Sequence, residues 1–173
     1  MKYRDTYRWL VLPLLLFTVV GLIFFGSACI PSTPGSVSPV SQTVAPEQTF
    51  TVDILVERAS FIAGAQFDLS FDPSLVTAIS VDEGNLFNAG GCATFFLPGT
   101  IDNVAGTITE VVCVIIEPGW MVSGTGTLAT ITFTAGTTEG TSPLDLNNVI
   151  VGDKQGQGVT VYVNVGSVTV SAE

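Results

Sequence analysis

Histidine is absent from this 173-residue chain, and cations are scarce: five Lys and Arg stand against fifteen Asp and Glu. Without an imidazole there is no Ser-His-Asp hydrolysis and no His-ligated zinc or haem, and the commonest general base is missing. Three of the five cations, Lys2, Arg4 and Arg8, lie in the first eight positions; from position 29 onward only Arg58 and Lys154 remain. Fourteen carboxylates share that stretch, so its formal charge is 2 − 14 = −12. A field of that sign repels nucleic acid. Charged residues make up only 12% of the chain and apolar residues 47%. That is enough to bury a core, which excludes wholesale disorder.

The apolar content begins with a leader. A basic segment, MKYRDTYR, precedes a mostly apolar run at positions 9–25 and then Gly26-Ser27-Ala28-Cys29. As a helix the run spans about 26 Å, slightly short of a ~30 Å hydrocarbon core. Small residues before Cys29 suit signal-peptidase cleavage. They also resemble a bacterial lipobox, with Gly26 where such boxes usually carry Leu. Residues 1–28 therefore read as a signal peptide or membrane anchor, with Cys29 the lipidation site in the first case. A lipoprotein, an uncleaved signal-anchor and a freely secreted chain all export residues 30–173, because the basic end stays inside. The expected location is the outer face of the cell membrane, or the medium if nothing anchors the chain. Residues 29–47 carry four of the nine prolines, Pro31, Pro34, Pro39 and Pro46, with serines between them. This composition predicts an extended, exposed spacer.

From position 48 the pattern has period two. Phe50, Val52, Ile54 and Val56 alternate with Thr51, Asp53, Leu55 and Glu57, and Ala65, Phe67, Leu69 and Phe71 alternate with Gln66, Asp68, Ser70 and Asp72. Each set is a half-buried strand. Asp72-Pro73 breaks the ladder because proline has no donor. Residues 75–82 resume an extended pattern. Residues 107–116 are apolar nearly throughout, as in a strand covered on both faces. Residues 128–134, 144–151 and 159–170 complete the set, with Gly166 a candidate bulge. Eight or nine strands over residues 48–173, with no helix after the leader, predict an all-β, two-sheet sandwich.

Cys92 and Cys113 remain once Cys29 is assigned to the leader. Thiols of an exported domain usually pair, and closing this loop contributes about 3 kcal/mol in the chain-entropy model. A disulfide is the expectation; two buried free cysteines are the alternative.

Three stretches carry a resemblance to a known family. AGAQFDLSFDPSLVTAISVDEGNLF (63–87), GTGTLATITFTAG (124–136) and the closing LDLNNVIVGDKQGQGVTVYVNVGSVTV (144–170) resemble, in order and spacing, the strands of a cohesin domain. The features are an aromatic-Asp-Pro step, an acidic-Gly turn and a Gly-rich strand entry. The resemblance implies jelly-roll topology and a binding function: capture of a dockerin, a small calcium-loaded helical module often carried by polysaccharide-degrading enzymes. It also implies that one sheet face meets the partner. Cellulosomal members offer Asn and Asp there, and the matching positions here are Gly64 and Gln66. With Asp68 and Ser70 they make the expected partner-binding face, whose bland alternative is a solvated sheet.

Other chemistry reads weakly. Gly124-Thr125-Gly126-Thr127-Leu128-Ala129 has dinucleotide-site spacing, but a strand follows where a helix is required. Asp68 and Asp72, about 13 Å apart along a strand, are too far apart for glycoside cleavage, and no catalytic residue is expected. Asp82, Glu83, Asp102, Asn103, Asp145, Asn147, Asn148 and Asp153 are oxygen donors near strand ends, without an EF-hand pattern. Turn chemistry accounts for them equally well, so no cofactor is expected, with structural calcium the minor alternative. Trp120 is a candidate for stacking on a sugar ring or for plugging the edge of the core. The partner expected is therefore a dockerin-like module, with direct polysaccharide binding or a structural adhesin as alternatives.

Overall fold

The computed structural model describes residues 33–159 and 161–172; the expected signal peptide or membrane anchor and Cys29 lie outside them. Among the described residues of the unit Pro31–Glu173, the regular elements are all strands. Its elements are β1 (Thr33–Ser38), β2 (Ser41–Val44), β3 (Thr49–Ser70), β4 (Val76–Glu83), β5 (Thr94–Leu97), β6 (Thr100–Asp102), β7 (Thr107–Ile115), β8 (Val122–Ala135), β9 (Gly140–Asp153), β10 (Gly158–Val159), β11 (Val161–Asn164) and β12 (Gly166–Val170). The all-β sandwich expected from the period-two pattern is present, with twelve strands among the described residues where eight or nine were expected.

The two alternating runs read as separate strands are one strand, β3, 22 residues long. Its first part pairs with β8 and β1, and its second part with β7 and β9. It therefore changes sheet midway, as corner strands of sandwiches do. The change falls at 57–61, where Arg58 (φ 50°) and Phe61 (φ 55°) take left-handed backbone, sparsely populated by residues with a Cβ. The register breaks in the β3–β8 ladder bracket this turn. Hydroxyls of β8 take two of its amides: Arg58 N donates to Thr125 Oγ1 at 3.1 Å and Phe61 N to Ser123 Oγ at 2.9 Å.

One layer is thus β4–β8–β3–β1–β11. The other is β5–β7–β3–β9, with β6 also on β7, β10 beside β9, and β12 and β2 beyond the start of β9. Inward side chains of both layers form a single core that includes Val52, Ile54, Phe67, Leu69, Ile108, Ile131 and Phe133. Phe133 stacks on Phe50 at 5.6 Å and meets Phe71 edge-on at 5.4 Å, so the start of β3 and the residue just past its end share one aromatic contact.

Three expectations are corrected here. The spacer does not extend to residue 47. Residues 35–38 pair with β3, 33–36 with β11, and 41–44 with β12, while Val37 and Val44 are buried in the core. Composition misled because the prolines avoid the ladder with β3: Pro34 is in register only with Tyr162 of β11, and Pro39 lies between β1 and β2. Gly166 is no bulge. A Cβ there would lie 2.5 Å from Val37 Cγ1, so the residue marks a close approach where the chain leaves β11 in one layer for β12 in the other. Residues 107–116 are covered on one face only, because Val112 and Val114 are half-exposed.

A chain starting at Gln48 should be far less stable than one starting at Pro31. It loses β1, β2 and two buried valines, about 3–6 kcal/mol out of a typical 5–15. The urea midpoint compares the two, and equal midpoints would return β1 and β2 to the status of a spacer.

Candidate recognition face

Residues paired across an antiparallel ladder point to the same side of the sheet, so the register of β5, β7, β3 and β9 lays out the outer face in rows. The first row is Phe95, Val114, Gly64 and Gly152. The second is Leu97, Val112, Gln66 and Ile150. Phe95 is 54% exposed, Leu97 41% and Ile150 51%. These two rows are apolar except for Gln66, and they are open. Among the described residues, Ala63, Gly64, Val112, Val114, Ile150 and Gly152 also line a shallow groove of about 320 Å³, and Asp153 and Lys154 line it too.

The third row is polar and internally bonded. Asp68 accepts from the Glu110 amide at 2.8 Å through Oδ1 and from Asn148 Nδ2 at 2.5 Å through Oδ2. Glu110 (φ 61°) and Asn148 (φ 49°) both have left-handed backbone, and the β3–β7 and β3–β9 registers both shift beside Asp68. One carboxylate therefore holds irregularities of both neighbouring strands. Below it, the Ser70 hydroxyl accepts from Asn147 Nδ2 at 2.8 Å.

Gly64, Gln66, Asp68 and Ser70 thus lie along the outer face of β3, as the alternation predicts. Their roles differ: Gly64 and Gln66 belong to the open rows, while Asp68 and Ser70 are engaged with neighbouring strands. Sequence reading missed Phe95, Leu97, Val112, Val114, Ile150 and Gly152. The signal was present in residues 107–116, whose doubly apolar pattern lacks a second covering layer.

Trp120 is not a core plug. It is 45% exposed and shares a separate open groove with Phe61, Pro118, Met121 and Ser123; Phe61 is 64% exposed. Of the adjacent pair Phe95 and Phe96, Phe96 packs against the core. The Gly124–Ala129 segment lies within β8, so no helix N-terminus follows it.

Many of the proposed calcium donors serve turns and ladders. Asp102 Oδ1 accepts from the Val104 and Ala105 amides, which hold its carboxyl below the ordinary value. Asn103 closes a two-way bond with Ala78, and Asp153 accepts from the Gln155 and Gln157 amides. Among the described residues no group of three or more acids, cysteines or histidines converges on one point.

The expected disulfide is absent: Cys92 and Cys113 are buried free thiols. Cys92 Sγ donates to the Phe87 carbonyl at 2.7 Å. Cys113 Sγ donates to Glu83 Oε1 at 3.4 Å, an oxygen that also accepts from Thr94 Oγ1 at 2.7 Å. Each sulfur thus has its own internal acceptor. Burial first, then the Glu83 charge and hydrogen bond, and last Cys92, push the Cys113 thiol up to about 12.

The described residues form a sandwich with an open, ordered apolar sheet face, the kind of surface a recognition module presents. The cohesin-domain family model matches residues 35–170, and the chain belongs to the cohesin family, whose domains bind rather than catalyse. No curated protein sequence matches it. Solved structures share the fold at low identity. The cohesin of the CaDoc0917–CaCohA2 complex is 20% identical with a TM-score of 0.64, covering 81% of this chain and 100% of that one. A non-cellulosomal cohesin from the archaeon Archaeoglobus fulgidus is 18% identical with a TM-score of 0.61, covering 82% and 93%. The cohesin of a type I cohesin–dockerin complex from Clostridium thermocellum, Coh-OlpA-Doc918, is 14% identical with a TM-score of 0.65, covering 82% and 100%.

Iodoacetamide at pH 8 should leave Cys92 and Cys113 unmodified in the folded protein and alkylate both in guanidinium without reductant. A surviving linked peptide would restore the disulfide. The sign of the raised thiol pKa also sets a pH dependence. The unfolded thiol loses its proton near 9.0 and the folded one near 12, so this contribution to stability is complete below 9 and declines as pH rises toward 12.

Proposed function

We propose that this chain is an exported, surface-held cohesin that captures a dockerin-bearing partner on the open face of β5, β7, β3 and β9, and so recruits polysaccharide-degrading activity without catalysis of its own. The carrying observation is the pair of apolar rows, Phe95–Val114–Gly64–Gly152 and Leu97–Val112–Gln66–Ile150, open where the register across positions 64–66 of β3 is unbroken. Exposed contiguous apolar surface on a folded domain marks interaction. Cohesins stand in complex with dockerins in several of the structures that share the fold. Gly64 and Gln66 in place of Asn and Asp favour recognition by apolar burial rather than by a polar pair. Export and anchoring are supported by the basic segment, the apolar run at 9–25 and the small residues before Cys29.

Binding to a rigid sheet involves little reorganisation, so affinity follows the quality of the central contacts. Leu97→Glu and Ile150→Glu each place a charge in the apolar rows. Each should weaken capture of a calcium-loaded dockerin module from the source genome by roughly 30-fold or more, with the thermal midpoint little changed because both side chains are already exposed. Retained capture by both variants, measured by calorimetry, would move the partner off this face.

A second reading, direct contact with glycan, is favoured by Phe61 and Trp120 sharing one open groove. In a polysaccharide pull-down, retention that disappears with Trp120→Ala supports it. No retention of the wild type leaves protein capture as the function.

A further inference from the structure

We infer that Gly64 and Gly152 form a socket for one bulky aliphatic side chain of the partner, and that Lys154 and Glu110 set the direction in which the partner lies. This rests on the docking reading above and refines it. The two glycines face each other across the β3–β9 ladder, and neither has the positive φ that demands glycine. Glycine weakens a strand, so a facing pair needs a reason other than conformation.

Space supplies part of that reason. At Gly64 a Cβ would lie 2.9 Å from Val114 Cγ1, so β7 presses close there. At Gly152 the nearest atoms to a Cβ are the Gln157 carbonyl oxygen at 3.7 Å and Gly156 at 4.0 Å. A side chain would fit, and the fold does not require its absence. What the missing side chains create is depth: the groove of about 320 Å³ walled by Val114, Ile115 and Ile150. That volume is at the small end of ligand sites. Its walls are aliphatic, which suits a Leu, Ile or Met side chain.

Charge gives the socket a direction. Lys154, one of two cations after position 29, lines the groove beside Asp153, whose Oδ1 is taken by the Gln155 and Gln157 backbone amides. At the other end of the apolar rows the exposed Glu110 lies beside Asp68. Positions 64 and 68 are about 13 Å apart along β3, which is between two and three turns of an α-helix. The fitting occupant is an amphipathic helix with an aliphatic residue at the socket. It carries a carboxylate on the Lys154 side and a Lys or Arg two to three turns away facing Glu110.

A dockerin scaffold randomised on its exposed helix face and displayed on yeast, sorted against the full-length chain, tests this. Sorted binders are then measured on Gly152→Leu, Gly152→Ala, Lys154→Glu and Ile150→Glu. The expected result is enrichment of one aliphatic position, with roughly 30-fold loss on Gly152→Leu and about fourfold on Gly152→Ala. Truncating the binder's aliphatic residue to Ala should restore binding to Gly152→Leu. The alanine variant keeps the test open if the leucine one fails to fold. On Lys154→Glu, selected binders should weaken, and a binder with its facing carboxylate changed to Lys should recover. Binders that fail on Ile150→Glu but tolerate both Gly152 variants overturn the socket and leave the docking face standing. Binders indifferent to every substitution, or a library yielding none that depends on Gly152, overturn the socket; indifference to Ile150→Glu removes the docking face as well.

Discussion

The structure depends on one strand serving two sheets. β3 contributes Val52, Ile54 and Val56 to the core from one layer and Phe67 and Leu69 from the other. Its turn at 57–61 is held by hydroxyls of β8, which occupy amides that the interrupted ladder leaves without a strand partner. These bonds are exposed, so Ser123 and Thr125 fix the geometry of the layer change rather than rescue buried polar groups. Because the same strand carries Gly64 and Gln66 outward, the core and the open face are fixed by one backbone path.

The open face is stiff for a local reason as well. Asp68 bonds to β7 on one side and to β9 on the other, at the point where both registers shift. A polar group placed on a recognition face would ordinarily be counted as a contact for the partner. Here both of its oxygens are already occupied, and the exposed groups beside it are Glu110 and Asn148. The carboxylate acts on recognition by shaping the rows above it, and the apolar rows supply the burial.

Much of this was legible from residue order. Period-two alternation placed Gly64, Gln66, Asp68 and Ser70 on one side of β3, and the break at Asp72-Pro73 falls two residues past the strand's end at Ser70. What failed did so for identifiable reasons. Strand β1 was hidden because Pro and Ser dominate its composition, while its burial comes from partners more than a hundred residues away in β11 and from β3. The short strands β5 and β6 are edge additions to β7 without an alternation long enough to read. The cysteines were paired on compartment statistics, whereas the phenylalanine carbonyl and the glutamate that accept their protons become neighbours only on folding. The face itself was half visible: Val112 and Val114 read as covered, since sequence gives the polarity of a side chain and not the presence of a second layer.

An apolar sheet face left open is available to a second copy of the protein as well as to another partner. Composition opposes the second copy. Beyond position 29 the chain carries −12 formal charge, and two such surfaces brought together repel at contact range, where screening over about 8 Å at physiological salt is incomplete. A self-dimer brings two such net charges together, whereas a basic-flanked helix brings Glu110 an opposite charge. Burial of Phe95, Leu97 and Ile150 favours any apolar occupant equally, so the discrimination must come from the rim. The scarcity of cations that first excluded nucleic acid therefore also selects among protein partners: it penalises a second copy and leaves the apolar rows to a partner of complementary charge.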